Sequence, residues 1–102
     1  MGKQTFGEII REAKVPVLVD FYANWCGPCK AMAPVLEDIA GSMGDRVKIL
    51  KIDTDTNKEA AAKFSIQGIP TFILFKDGRQ VWRGSGAMPR HQLEGIIKQY
   101  SN

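Results

Sequence analysis

One segment constrains the fold of this chain more than any other, the run over residues 15–22, which reads Val-Pro-Val-Leu-Val-Asp-Phe-Tyr. The run is almost continuously apolar and rich in β-branched residues, which is typical of a strand buried on both faces of a sheet. Pro16 falls at the beginning of the run, where a missing backbone N–H is tolerated. The run therefore predicts a central strand, and it places the charged residue Asp20 inside a buried element.

The rest of the chain alternates between helical and extended patterns. Thr5 and Glu8 have the spacing of a capping box, which indicates that a first helix begins there. Apolar residues at helical spacing predict further helices over 26 to about 43, 57–64 and 92–100. Extended, β-branched patterns predict further strands over 47–53, 70–75 and 80–83. Pro34 lies inside the second helix and is expected to kink or break it.

The resulting order, α-β-α-β-α-β-β-α, defines the fold class as α/β. The alternating first part implies parallel strands that are joined by helical crossovers. Asp77-Gly78 between the last two strands is a hairpin signal, which adds an antiparallel pair. We therefore expect one domain over residues 1–102, with a central mixed sheet of four to five strands and helices on both faces.

Composition excludes several function classes. The chain has 102 residues, is 44% hydrophobic and carries a net charge of +3. The basic residues are scattered, which argues against nucleic-acid binding. No apolar run approaches the roughly 20 residues that a membrane span requires, and the beginning of the chain lacks the apolar core of a secretory signal. We expect a cytoplasmic monomer that binds neither nucleic acid nor membrane.

Cys26 and Cys29, the two cysteines of the chain, lie three positions apart where the central strand gives way to a helix. Helical positions at this spacing have Cα atoms roughly 5 Å apart, and a disulfide accepts about 4.4–6.8 Å. The pair can therefore alternate between disulfide and dithiol. Unpaired N–H groups at a helix N-terminus favour a thiolate at Cys26. We expect Cys26 to attack a substrate disulfide, and Cys29, one turn deeper and more buried, to resolve the mixed disulfide.

Two other interpretations of the cysteines are weaker. A stapling disulfide over a four-residue loop would contribute only about 2 kcal/mol to stability. A zinc site would need about four ligands, and the one further soft ligand, His91, belongs to the last predicted helix. We therefore expect no metal site, and we expect His91 to face solvent.

Four segments share their order and spacing with a known family: residues 19–30 (Val-Asp-Phe-Tyr-Ala-Asn-Trp-Cys-Gly-Pro-Cys-Lys), Ala33-Pro34, Gly68-Ile69-Pro70-Thr71 and Gly86-Ala87. Together they resemble the thioredoxin family over nearly the whole chain. The resemblance implies the thioredoxin fold and a protein-disulfide reductase with no cofactor beyond the Cys26–Cys29 disulfide. It also implies two kinds of partner, namely protein disulfides and an NADPH-dependent flavoprotein, thioredoxin reductase.

Other functions within this fold stay open. Gly27 and Pro28, between the cysteines, resemble the family's reductants, whereas members that oxidise or isomerise disulfides usually carry histidine next to the second cysteine. An oxidising or isomerising role remains an alternative, which a reduction potential would decide. A second alternative is an interaction module that binds partners without redox turnover.

The resemblance also assigns catalytic roles beyond the cysteines. Asp20 matches the family's buried carboxylate, which accepts a proton from Cys29, directly or through water. Burial should raise the pKa of Asp20, consistent with that role. Lys51 matches the lysine beside this carboxylate. The alternatives are a structural hydrogen-bonding role for Asp20 and a plain surface position for Lys51.

Substrate binding is assigned to residues around Cys26: Trp25, Gly27, Pro28, Ile69, Pro70, Gly86 and Ala87. A cis Ile69–Pro70 bond would place an edge for an extended substrate beside the cysteines. The alternatives are a trans proline at the start of a strand and a simple packing role for Trp25. Trp82 is interpreted as a strand residue that packs on the core.

The chain departs from the family in two places. Tyr22 occupies a position where most bacterial thioredoxins have tryptophan, a change expected to affect packing more than chemistry. The family usually begins with a strand before its first helix, and residues 1–4 leave little room for one. That strand is expected to be minimal or absent, which affects sheet pairing and not the site.

Overall fold

The structure is a computed structural model that describes residues 5–101. The helices are α1 (Phe6–Glu12), α2 (Gly27–Met43), α3 (Lys58–Lys63) and α4 (Arg90–Gln99), with a short 3-10 helix at Gly44–Arg46. The strands are β1 (Val17–Tyr22), β2 (Lys48–Asp53), β3 (Thr71–Lys76) and β4 (Arg79–Ser85). The expected order of helices and strands is confirmed. The expectation about a strand before α1 concerns residues 1–4, which lie outside the described residues.

The strands within the described range form one mixed sheet in the order β2-β1-β3-β4. β1 pairs in parallel with β2 and antiparallel with β3, and β4 completes the sheet antiparallel to β3. The central position of β1 explains its apolar sequence, because it has a neighbour on each edge and a helical layer on each face. The expectation of a mixed, four- to five-stranded sheet is confirmed.

Side-chain alternation along the strands divides the core into two layers. One layer joins the sheet to α2 and α4 through residues that include Leu18, Met32, Leu36, Ile39, Phe72, Leu74, Leu93 and Ile97. The other joins the opposite face to α1 and to the end of α3 through residues that include Phe6, Ile10, Val17, Val19, Phe21, Phe64, Ile73 and Phe75. Because β1 alternates with a period of two, Asp20 lies on the same face as Leu18, the face that α2 covers.

Pro34 does not break α2, which continues from Gly27–Met43 with the proline inside it. Of the two expectations at this proline, a kink or a break, the structure contradicts the break. Pro34 has no backbone N–H and so cannot make the hydrogen bond of an ordinary helical residue. The burial of five α2 side chains outweighs this loss: Cys29, Met32, Leu36, Ile39 and Met43. Tertiary packing of this kind supplies most of the stability of a helix in a folded protein.

The topology gathers four connections at one end of the sheet. The parallel strands β1 and β2 both end there, at Tyr22 and Asp53. β3 begins at the same end, since Phe21 pairs with Thr71, and β4 ends there, since Thr71 pairs with Ser85. The segments 23–26, 54–57, 68–70 and 86–89 therefore meet beside the beginning of α2. Ligands of open α/β sheets bind at such an end of the strands.

The β3–β4 hairpin turns at Asp77 and Gly78, as the sequence predicts. Both have positive φ, 54° and 79°, which a type I′ turn requires. A Cβ atom at position 78 would lie at ordinary van der Waals distances from its neighbours. The positive φ of this position is nevertheless disfavoured for any residue with a side chain.

This geometry gives opposite predictions for two glycines. Gly78→Ala should destabilise the protein by about 1 kcal/mol, because alanine is strained at positive φ. Gly41→Ala is the matched control: Gly41 lies in the last turn of α2 with open space around it. That change should be neutral or stabilise by up to about 1 kcal/mol. Urea unfolding of both variants measures the difference, and a Gly78→Ala protein as stable as Gly41→Ala would contradict the turn assignment.

Candidate active site

Cys26 and Cys29 form a disulfide at the N-terminus of α2, with their Cα atoms 5.2 Å apart. Cys26 is the N-cap residue, with extended backbone, and its Sγ accepts a hydrogen bond from the Cys29 N–H at 3.2 Å. Pro28 lies in the first turn, where its missing N–H has no intrahelical acceptor to satisfy. A sulfur thus occupies the position that an oxygen takes in an ordinary N-cap. The Cα separation agrees with the spacing argument from the sequence.

The expectation that Cys29 is the more buried cysteine is wrong. Cys26 is 4% exposed and Cys29 is 7% exposed. The reason lies in the neighbouring loop, because Ile69 packs against the cysteine cluster and its carbonyl oxygen lies 3.8 Å from the Cys26 Sγ. In the disulfide state both cysteines are therefore buried, and the 68–70 loop lies beside Cys26.

Cys29 also borders a cavity of about 130 Å³. The cavity is lined by Tyr22, Ala23, Asn24, Cys29, Lys30, Ala33 and Lys51. A water molecule occupies roughly 30 Å³ of liquid volume, so the cavity has room for solvent. The cavity therefore lets solvent approach Cys29.

Asp20 is a buried carboxylate on β1, the strand that leads to the cysteines. It is 2% exposed, and its Oδ1 has no hydrogen-bond partner within the described chain. Burial raises the pKa of Asp20 to about 6, against a smaller opposing effect of the nearby Lys51 charge. Asp20 and Lys51 are register partners on adjacent strands and share a face of the sheet. A carboxyl group with this pKa gains and loses a proton close to neutral pH.

Lys51 has two partners in this region. Its Nζ lies 5.0 Å from the centroid of the Tyr22 ring, a distance at which an ammonium is attracted to an aromatic face. The same charge lowers the pKa of Asp20. Tyr22, a position at which the sequence departs from the family that it resembles, therefore retains an aromatic ring beside the lysine.

A rim of exposed and half-buried residues, together with the buried Pro70, surrounds Cys26. The Ile69–Pro70 peptide bond is cis, which confirms the sequence prediction. The Gly86 N–H donates to the Pro70 carbonyl oxygen at 2.8 Å, and Gly86 adopts a φ of 89°. Trp25 is 70% exposed, and Gly27, Pro28 and Ala87 are also exposed. The structure thus brings every sequence-assigned substrate-binding residue to the end of the sheet where α2 begins.

Asp55 is a site residue that sequence reasoning missed. Its Oδ2 accepts a hydrogen bond from the Trp25 Nε1–H at 2.9 Å, which fixes one edge of an indole whose remainder faces solvent. The available signal was its place just after β2, since parallel neighbours end at the same edge of a sheet. No local pattern pairs it with Trp25.

Two residues with no predicted role in catalysis or substrate binding, His91 and Trp82, lie in α4 and β4. His91 is exposed on α4, as expected, and Trp82 lies in β4 and packs against the core, as expected. Between residues 5 and 101 no group of three or more histidine, cysteine or acidic side chains could hold a metal ion. No helix in this range is long and apolar enough to cross a membrane.

A redox-active Cys-x-x-Cys pair on the first turn of a helix, at the end of a mixed α/β sheet, defines a thiol–disulfide oxidoreductase.

Comparison with known proteins leads to the same class of protein. The thioredoxin family model matches residues 1–99. The chain is 43% identical over 96 residues to thioredoxin 1 of Synechococcus elongatus, covering 94% of this chain and 90% of that protein. It is 45% identical over 94 residues to the chloroplastic thioredoxin Y of Oryza sativa, covering 89% of this chain and 56% of that protein.

Solved structures give the same result. A mutant thioredoxin from Halobacterium salinarum superposes with a TM-score of 0.88 at 36% identity, covering 99% of this chain and 87% of that one. The chain therefore belongs to the thioredoxin family and has the thioredoxin fold. Its cysteine pair is that of a protein-disulfide oxidoreductase, and thiol–disulfide reduction is its function.

The raised pKa of Asp20 makes stability depend on pH. Between about 3.8 and about 6 the folded protein binds a proton that the unfolded chain has released, so stability falls as pH rises through this window. At pH 8 the buried charge costs about 3 kcal/mol, since one pKa unit corresponds to about 1.4 kcal/mol. Asp20→Asn should therefore stabilise the oxidised protein far more at pH 8 than at pH 4.

Urea unfolding at the two pH values measures this difference. Asp38→Asn is the matched control, because Asp38 is exposed on α2 and the substitution is chemically the same. An Asp20→Asn protein whose gain in stability is equal at pH 4 and pH 8 would show that burial does not raise the pKa of Asp20.

Proposed function

We propose that Cys26 is the attacking thiolate of this reductase and that Cys29 is the resolving thiol. The Cys26 thiolate attacks one sulfur of a substrate disulfide, the substrate S–S bond breaks, and the other substrate sulfur leaves as a thiolate that takes up a proton. The Cys29 thiolate then attacks the Cys26 Sγ and releases the second substrate sulfur. The product is the Cys26–Cys29 disulfide, which is the state of the structure.

The observation that carries this assignment is the hydrogen bond from the Cys29 N–H to the Cys26 Sγ. The N-terminal end of α2 presents unpaired N–H groups and the positive end of the helix dipole to this sulfur. Both stabilise negative charge on Cys26, as an attacking and a leaving group requires. Cys29, one turn into the helix, receives less of this stabilisation, so it needs another group to take its proton.

Asp20 is the proposed acceptor of that proton. Its carboxyl group is buried on the face that α2 covers, its Oδ1 is unpartnered, and its pKa of about 6 suits proton exchange near neutral pH. The cavity beside Cys29 supplies room for a water to carry the proton. Lys51 lines the same cavity and keeps the pKa of Asp20 from rising further. Asp20 and Lys51 thus act on the resolving step.

Substrate recognition is proposed for the rim of residues around Cys26: Trp25, Gly27, Pro28, Ile69, Pro70, Gly86 and Ala87. The rim combines the exposed indole of Trp25 with small residues that let another chain approach closely. A mostly apolar surface beside a reactive sulfur suits an extended protein segment better than a small molecule. The proposed substrates are therefore disulfides of other proteins.

The remaining assignments follow from family membership. The disulfide is proposed to be recharged by an NADPH-dependent flavoprotein thioredoxin reductase, with no cofactor bound to this chain. The chain is proposed to work as a monomeric single domain over residues 1–102, in the cytoplasm. Relatives named as chloroplastic show that the family also serves other compartments.

The two cysteines should respond differently to the same substitution. Cys26→Ser should abolish dithiothreitol-coupled reduction of insulin, because the attacking sulfur is lost. Cys29→Ser should keep the first step and lose the second, so it should accumulate a mixed disulfide that mass spectrometry detects. Each variant serves as the control for the other.

A trapped adduct on Cys26→Ser with none on Cys29→Ser would reverse the assignment of roles. Full activity of both variants in partner binding and in cells would instead favour an interaction module without redox turnover.

A further inference from the structure

The loop over residues 86–89, called here the rim loop, connects β4 to α4 and carries Gly86 and Ala87 of the proposed substrate surface. Two backbone N–H groups fix it. The Gly86 N–H donates to the Pro70 carbonyl oxygen at 2.8 Å. The Met88 N–H donates to the Sδ of Met32 at 3.4 Å. Exposed Ala87 lies between these two anchors, so their positions determine where it can meet a substrate.

Met32 belongs to the same helix as the cysteines and lies one turn beyond Cys29. It is 1% exposed within the core layer beneath α2 and α4, and half-buried Met88 packs against that layer. A thioether sulfur is a weak hydrogen-bond acceptor. An N–H that is partly withdrawn from water still loses free energy when it has no acceptor, so even this weak, part-buried bond favours one position of the rim loop.

We propose that Met32 is a positioning residue, whose sulfur holds the rim loop in register with the cysteines for the binding of protein substrates. This inference rests on the proposed function, because it concerns the substrate surface of that same site. The bond runs from α2 directly to the rim loop, 56 residues further along the chain. It does not touch either sulfur of the disulfide, so it acts on substrate binding and leaves the chemistry of the cysteines unchanged.

Met32→Leu removes the hydrogen-bond acceptor while leaving the packing of the core nearly unchanged, because leucine has a similar volume but cannot accept a hydrogen bond. Met43→Leu is the matched control: Met43 is also buried in α2 and the same core layer, at the far end of the helix. Because a thioether is a weak acceptor, loss of this bond corresponds to the low end of the hydrogen-bond range, a change of about twofold. In the insulin reduction assay, Met32→Leu should raise the KM for insulin by this factor, with kcat unchanged. Met43→Leu should leave both KM and kcat unchanged.

Two further measurements distinguish positioning from general destabilisation. Reduction of a small aromatic disulfide, which does not span the rim, should proceed at the wild-type rate in Met32→Leu. The backbone amide of Met88 should exchange with deuterium faster in Met32→Leu by a similar factor, while the amide of Gly86, bonded to the Pro70 carbonyl, should exchange as in the wild type.

The possible outcomes are distinct. Equal KM values for Met32→Leu and Met43→Leu, or an unchanged exchange rate at Met88, would overturn the role of the Met32 sulfur while leaving disulfide reduction intact. Failure of the wild type and of Met43→Leu to reduce insulin would instead overturn the proposed function. The amide exchange does not depend on activity, and it would still decide whether the sulfur holds the loop.

Discussion

The site depends on one hydrogen bond, from the Cys29 N–H to the Cys26 Sγ at the beginning of α2. It places a sulfur where an N-cap oxygen would ordinarily lie, in the field of unpaired helix N–H groups. The same geometry brings the two Cα atoms to 5.2 Å, so the disulfide closes without rearrangement of the helix. The proposed thiolate at Cys26 and its proposed resolution by Cys29 both rest on this single local arrangement.

The topology of the sheet explains why the beginning of α2, which carries the cysteines, lies at the end of the sheet. β1 lies in the centre, is buried on both faces and ends four residues before Cys26, so the N-terminus of α2 projects from the end of the sheet. Asp20 is the exception within β1, a carboxylate in an otherwise apolar strand. Its burial opposes folding at neutral pH, and the same burial gives it a pKa suited to proton transfer. Stability is lowered at the position where the proposed mechanism places a titrating group.

Features determined by nearby residues could be predicted from the sequence. The capping box at Thr5, the Asp77-Gly78 turn and the apolar period of α2 each depend on residues a few positions apart, and the structure contains all three. The Cys26–Cys29 spacing is local in the same way. The roles of Asp20 and Lys51 were predicted from the family resemblance. Neither strand's own sequence indicates that these two residues are register partners.

Contacts between distant segments could not be predicted in this way. Trp25 and Asp55 are 30 residues apart, and Met32 and Met88 are 56 apart, so their pairing requires the completed fold. The relative burial of the cysteines was mispredicted for the same reason, because the covering group, Ile69, comes from a separate loop. Helical depth alone does not determine exposure when another segment packs over the first turn.

The most direct test of this account is the ionisation of Cys26 in the reduced protein. A Cys29→Ala variant leaves a single thiol and keeps the amide at position 29, so its thiolate absorbance can be followed as pH changes. The folded variant should ionise at lower pH than the same chain unfolded in urea, because only the fold supplies the helix N-terminus. Ionisation of the folded and unfolded chains at the same pH would contradict it.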